Sequence, residues 1–236
     1  MEDDRISKII LDISFSLAWV GATGSVTGLA LSLALFVIGW EQFHFLAKAV
    51  SSLFLGALAL FLTLTVAMII SCRRSRILSA PQRTRWTRIL VINWGAVGPT
   101  AYYLGALRPQ LTAEVHHSYW WARSRSLLDV LYACSFWGSI ALVIAVALGF
   151  VVVPLNLDTA ASTLLLLVIA LIPTVGLATG LLATILLFDL GRRSGDEADA
   201  FLWHLNPWAW IVGMRRYYLE VLRPELPSSS PAHDPG

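Results

Sequence analysis

The sequence predicts an all-α integral membrane protein made by tandem duplication of one unit, a transmembrane helical hairpin followed by a broken re-entrant or interfacial segment. Three features carry this: an apolar excess, four long uncharged stretches, and a ten-residue motif that occurs twice. Of 236 residues, 57% are hydrophobic and 14% charged, with mean hydropathy +0.69. A soluble domain carries roughly 45–50% apolar and about 25% charged residues, so a water-soluble globule has no means of hiding this surface. The same composition excludes collagen-like, disordered and disulfide-rich secreted chains.

Spanning a bilayer takes about 20 mostly apolar residues, and four stretches qualify: 13–39, 45–71, 130–153 and 163–188. Lys48 is their one charged residue. The links Trp40–His44 and Pro154–Ser162 are short, so the stretches pair as two hairpins. Segments 89–107 and 201–214 are apolar but interrupted, by Asn93, Gly95, Gly98 and Pro99 in one and His204, Asn206 and Pro207 in the other. Broken backbone at membrane depth is tolerated only where protein or water satisfies it, so these two are read as re-entrant or interfacial. Pro173 is expected to kink the fourth stretch. The N-terminal apolar stretch is too long for a signal-peptide core and reads as an uncleaved anchor. Residues 227–236 have the composition of a disordered tail. Cys72 and Cys134 read as two unpaired thiols.

The duplication rests chiefly on YYLGALRPQL at Tyr102–Leu111, which returns as YYLEVLRPEL at Tyr217–Leu226, identical at seven of ten places with an offset of 115. Asn93-Trp94, Arg73-Arg74-Ser75 and Leu11-Asp12 return in the same order, as Asn206-Pro207-Trp208, Arg192-Arg193-Ser194 and Leu128-Asp129. The unit boundaries fall at 1–111 and 112–226, with residues 112–126 as an interfacial linker. A pseudo-twofold axis along the membrane normal is expected to relate the halves.

Lys and Arg prefer cytoplasmic loops. If both broken segments return to the side they left, 16 of the 17 Lys and Arg share one face and only Lys48 lies opposite. If both cross, the split is 11 to 6. The first arrangement sets both termini in the cytoplasm, in a cytoplasmic membrane of bacterial type. Trp residues cluster in the linker and broken segments, as expected at headgroup level.

Candidate sites follow from this basic, aromatic collar. Trp120, Trp121, Arg123, Arg125, Arg215 and Arg216 suit contact with anionic lipid headgroups or with a partner protein. Gly21, Gly24 and Gly28 form a small-residue face on the first span, suited to close packing against the second hairpin or to a dimer or another subunit. Asp12 and Asp129 stand where a helix N-terminus favours negative charge, worth about 0.3–1 kcal/mol each. The histidines are His44, His116, His117, His204 and His233; His44 has no His partner on the outer side, and no Cys pair or carboxylate stands at ligand spacing beside His204 and the His116–His117 pair, so no metal or cofactor is expected. No nucleic-acid partner, phosphate loop, nucleophile motif or mid-depth titratable group is present in the pattern, which weighs against catalysis and ion-coupled transport.

The run ending in Val97-Gly98-Pro99, with Tyr102-Tyr103 and Arg108 after it, resembles the short membrane segments of bacterial proteins of the phospholipase D–nuclease N-terminal type, and Asn206–Arg223 resembles them more weakly. The resemblance implies membrane anchoring without catalysis, and no HxK-type phospholipase motif follows it. The expected function is therefore that of a non-enzymatic scaffold or accessory subunit. A small transporter or channel component with a pathway between the halves is the alternative, and a lipid-modifying enzyme using His116, His117 or His204 is a third.

Overall fold

The computed structural model describes residues 2–38, 43–93, 96–109, 124–152, 158–193, 201 and 210–226, and every element among them is helical. Helices α1 (Glu2–Ile38) and α2 (Phe43–Arg74) pack as one hairpin, and α5 (Arg125–Val152) and α6 (Asp158–Arg192) as another. Each contains a segment long and apolar enough to cross a membrane. The helices extend beyond the predicted spans, because the polar residues flanking each stretch continue the same ladder. α2 begins at Phe43 and α6 at Asp158, inside what the sequence assigns to the links. α6 continues through Pro173.

Apolar surroundings leave hydroxyls no water to bond, and several in the hairpins turn back onto their own helices, while Ser135 and Thr179 bond each other across the second hairpin at 2.8 Å. Ser25 Oγ donates to the Gly21 carbonyl at 2.6 Å, Thr65 Oγ1 to Phe61 at 2.7 Å, and Thr184 Oγ1 to Gly180 at 2.8 Å. The glycine face of α1 lies against α2 of its own hairpin, not against the second hairpin. A methyl group on Gly21 would stand 3.1 Å from Ala57 Cβ, one on Gly24 3.3 Å from Leu53 Cδ2, and one on Gly28 2.6 Å from Val50 Cγ2. Gly138 of α5 meets Val175 of α6 in the same way, at 2.6 Å.

Between the hairpins runs a short arm, α3 (Ala80–Ile92), α4 (Val97–Tyr102) and a π-helical turn at Tyr103–Leu107. α3 starts nine residues before the predicted segment. Gln82 Oε1 accepts from the Ser79 backbone N–H and its hydroxyl, both at 3.1 Å, and Pro81 occupies the first turn, where no donor is needed. The helix stops at Asn93, whose carbonyl accepts from Gly98 N–H at 3.1 Å as α4 begins. A side chain at residue 98 would overlap that carbonyl, which is why glycine stands there. Pro99 follows in the first turn of α4, and the ladder widens to a π-turn just ahead of Arg108-Pro109. The chain repeats this at its C-terminal side: α7 (Trp210–Tyr217), a π-turn at Tyr218–Leu222, then a turn at Arg223–Glu225. Proline's missing donor and its ring both disturb an α ladder at this point, and the wider turn relieves both.

The core sits at one end of the hairpins. Trp86, Tyr102, Tyr103, Leu128, Leu182, Leu186, Leu190, Tyr217 and Tyr218 are fully buried there, whereas Val20, Leu55, Val143 and Leu166 along the shafts are exposed. α6 is the centre of this core, packed by α1, α3, α4 and the first π-turn as well as by α5 and α7. A pseudo-twofold axis that pairs α1 with α6 must also pair α5 with α2. Those two share no comparable interface. Among the described residues the contacts are therefore not the paired set that the expected twofold axis would give.

Candidate functional site

The buried tyrosines of the two YYLxxLRPxL motifs reach back to the first helix of their own hairpins. Tyr103 Oη donates to Asp12 Oδ1 at 2.7 Å, and Tyr218 Oη donates to Asp129 Oδ1 at 2.8 Å. The arginine five residues on joins each carboxylate, Arg108 Nε 3.5 Å from Asp12 Oδ1 and Arg223 Nε 3.0 Å from Asp129 Oδ1. The ring beneath each tyrosine matches too: Phe15 stacks on Tyr103 at 4.8 Å, and Tyr132 lies against Tyr218 at 5.3 Å. The aspartates are thus latches for the arms, and the helix-start role expected of them does not hold: α1 begins at Glu2 and α5 at Arg125, so Asp12 and Asp129 stand beyond the first turn, where the dipole acts. The nearly equal spacing between Leu-Asp and Tyr-x4-Arg, 91 residues from Asp12 to Tyr103 and 89 from Asp129 to Tyr218, is the signal that could have shown it.

The preceding tyrosines differ. Tyr102 meets Trp86 edge to face at 5.4 Å, Tyr217 meets Phe201 likewise at 5.3 Å, and both are buried. Tyr102 lies beside Ser71 and Cys72, and burial pushes its hydroxyl up to about 12. Tyr217 instead donates to Asp189 Oδ2 at 2.7 Å. Burial, then the Asp189 charge, raises the Tyr217 pKa further, and burial followed by Asp129 raises that of Tyr218. Asp189 also binds Arg193 Nε at 2.7 Å, and Arg193 grips Glu225 with two bonds of 2.8 and 2.5 Å. Glu225 first, with Asp189 behind it, holds the Arg193 guanidinium firmly charged against the opposing effect of burial. The sequence alone does not show this network, because Asp189 and Arg193 are far along the chain from Tyr217 and Glu225, the two members that lie in the motif.

Arg85 and Trp86 join the halves. Buried Arg85 donates from Nη1 to the Arg193 carbonyl, closing the end of α6. The Trp86 indole lies between Gly105 and Gly191, and a methyl group on Gly191 would overlap the ring. Trp19 reaches over Gly180 and donates from Nε1 to Thr100 Oγ1 at 3.0 Å.

Of the residues assigned to the collar, Trp120, Trp121 and Arg123 lie outside the described residues, as do His116, His117, His204 and His233. Arg125 opens α5, 3.9 Å from Asp129. Arg215 lies over the Phe136 ring at 5.0 Å. Arg216 pairs with Glu220 at 3.0 Å and covers the Phe201 ring at 5.9 Å. Among the described residues no group of three His, Cys, Asp or Glu is placed to hold a metal. Exposed Arg73, Arg74, Arg76, Arg88 and Arg192 complete a positive rim.

No family model, curated protein or solved structure matches this chain.

Proposed function

We propose that the chain is a tandem duplication acting as a non-enzymatic membrane scaffold or accessory subunit, which holds anionic lipid or a partner protein on its basic, aromatic end. The observation that carries this is how charge is used there. Asp12, Asp129, Asp189, Glu220 and Glu225 each bind an arginine or tyrosine of the same chain. Among the residues whose side chains are described, Asp12, Asp129, Asp189 and Glu225 are engaged in holding arms and helices together, Glu220 pairs one turn away from its arginine, and the charge left exposed is positive. Such a surface attracts anionic headgroups. The charge count supports setting this end, with both termini, on the cytoplasmic side of a bacterial cytoplasmic membrane. The resemblance of the arms to phospholipase D–nuclease N-terminal type segments agrees with anchoring without catalysis.

Purification in mild detergent, with mass spectrometry of the proteins and lipids that come along, tests this reading. A stable partner or tightly held anionic lipid is expected. Replacing Arg123 and Arg125 by Gln is expected to weaken retention at low salt by about 1 kcal/mol per charge. A protein carrying neither, which moves a solute across liposome membranes, would replace this reading with that of a transporter component.

A further inference from the structure

The two arms meet different neighbours. Val97, Thr100 and Ala101 of α4 lie under α6 and are 6%, 8% and 0% exposed. The residues 115 positions on are Val212, Arg215 and Arg216 of α7. Among the described helices α7 packs chiefly against α5 and α6 of its own hairpin, Val212 is 74% exposed, and both arginines are exposed. Chemistry changes with the neighbour. Where the Trp19 indole bonds Thr100 beneath α6, the second half has Phe136 with the Arg215 guanidinium over its face. The groove that α6 fills in the first half thus recurs between α5 and α7, uncovered by any described residue and edged with positive charge.

A second copy docked as α6 docks would bring its α2 into this groove, and α2 is the wrong shape. Ala57 and Val175, which face Gly21 and Gly138, place Leu62 at the position of Gly180, and the Arg-Arg-Ser correspondence places Phe61 there, so the small site that receives Trp19 is gone in either register. A lipid meets no such conflict. Its chain is apolar along Phe136 and Val212, and its headgroup complements a guanidinium, which binds phosphate through paired donors.

We propose that the groove bounded by Phe136, Val212 and Arg215 holds one anionic phospholipid, an acyl chain lying where α6 lies on the first half and the phosphate on Arg215. This rests on the lipid-holding reading of the basic end and assigns it to one face. The test is native mass spectrometry of the full chain in nonionic detergent, titrated separately with phosphatidylglycerol and phosphatidylcholine. Phosphatidylglycerol is expected to bind more tightly. Arg215→Thr, which installs the first half's residue, is expected to weaken it about fivefold, the factor equivalent to about 1 kcal/mol for one charge at the surface. Val212→Trp is expected to exclude both lipids by filling the groove, and Arg73→Gln to change neither, with unaltered melting confirming that each variant folds. Equal binding of the two lipids, or phosphatidylglycerol binding untouched by Arg215→Thr, would overturn the proposal. So would a dimer that Arg215→Thr splits, which would make a second copy the occupant. Lipid lost on replacing Arg123 and Arg125 but kept in Arg215→Thr would leave the collar reading standing and remove this groove. The reverse pattern supports the groove and removes the linker from lipid binding.

Discussion

A single tyrosine hydroxyl in each half decides how firmly its arm is held. Tyr218 is fully buried and its one described acceptor is Asp129, so Tyr218→Phe removes a charge-assisted bond from a dry site. The expected loss is about 1.5–3 kcal/mol. Arg223→Gln removes a half-exposed ion pair to the same carboxylate and is expected to cost less, about 0–1 kcal/mol. Denaturant titration in detergent ranks the two, and a larger loss from Arg223→Gln would show that the charge pair carries the latch. The same tyrosines set a pH limit. Tyr217 and Tyr218 have folded pKa values raised above the ordinary value near 10, so the folded state holds their protons more tightly. Their contribution to stability is complete below about pH 10 and is lost as pH rises through the folded values. Melting temperature is therefore expected to fall above about pH 10, and the fall to be shallower in the Tyr217→Phe, Tyr218→Phe double variant. An equal slope in both proteins would locate the alkaline limit elsewhere.

At the scale of elements, two glycines of α6 separate close packing from helix propensity. Gly191 touches the Trp86 ring, which is itself clasped by Gly105, and α6 ends there under the Arg85 side chain. Gly176 has open space where a methyl group would stand. Gly191→Ala is expected to destabilise by about 1–3 kcal/mol through overpacking. Gly176→Ala is expected to be neutral or to stabilise by up to about 1 kcal/mol, since alanine is the better helix former. Melting curves of the two variants check this, and equal effects would show that Trp86 moves aside freely. The four long helices were legible because mid-span residues are both apolar and uncharged, leaving composition and length to do the work. The break at Asn93 was legible through Gly98 and Pro99. The start of α3 at Ala80 was not, because Arg83, Arg85 and Arg88 read as a basic boundary, whereas Arg85 is turned inward onto a helix end. The π-turns were likewise hidden, since a motif shows that residues recur and not that the ladder around them widens.

For the whole molecule, the latches bear on which segments cross the membrane. α2 ends at Arg74 and α3 starts at Ala80, with Cys72 Sγ 3.7 Å from Thr87 Oγ1, so the arm leaves at that end of the hairpin. It closes with Arg108 beside Asp12 near the start of α1, which is the same end. The second arm closes with Arg223 beside Asp129 and Glu225 on Arg193, again at one end of its hairpin. We therefore predict that the arms return to the side they left, since both ends of each are pinned to one end of a hairpin and α3 alone, 13 residues at about 1.5 Å each, falls well short of a core roughly 30 Å thick. The charge count supports the same prediction, since crossing arms would set the two Arg-Arg-Ser boundaries on opposite faces. The packing of α1 and α3 onto α6 was beyond the sequence, because it depends on Trp19 and Trp86 finding Gly180 and Gly191 there. Single cysteines at Ser75 and Ser194, in a Cys72→Ser, Cys134→Ser background, are therefore expected to react with a membrane-impermeant thiol reagent from the same side. Inside-out and right-side-out vesicles distinguish the sides, and a cysteine at residue 2 reports which side holds the N-terminus. Opposite labelling at the two serines would require one arm to cross and would break the correspondence between the latches.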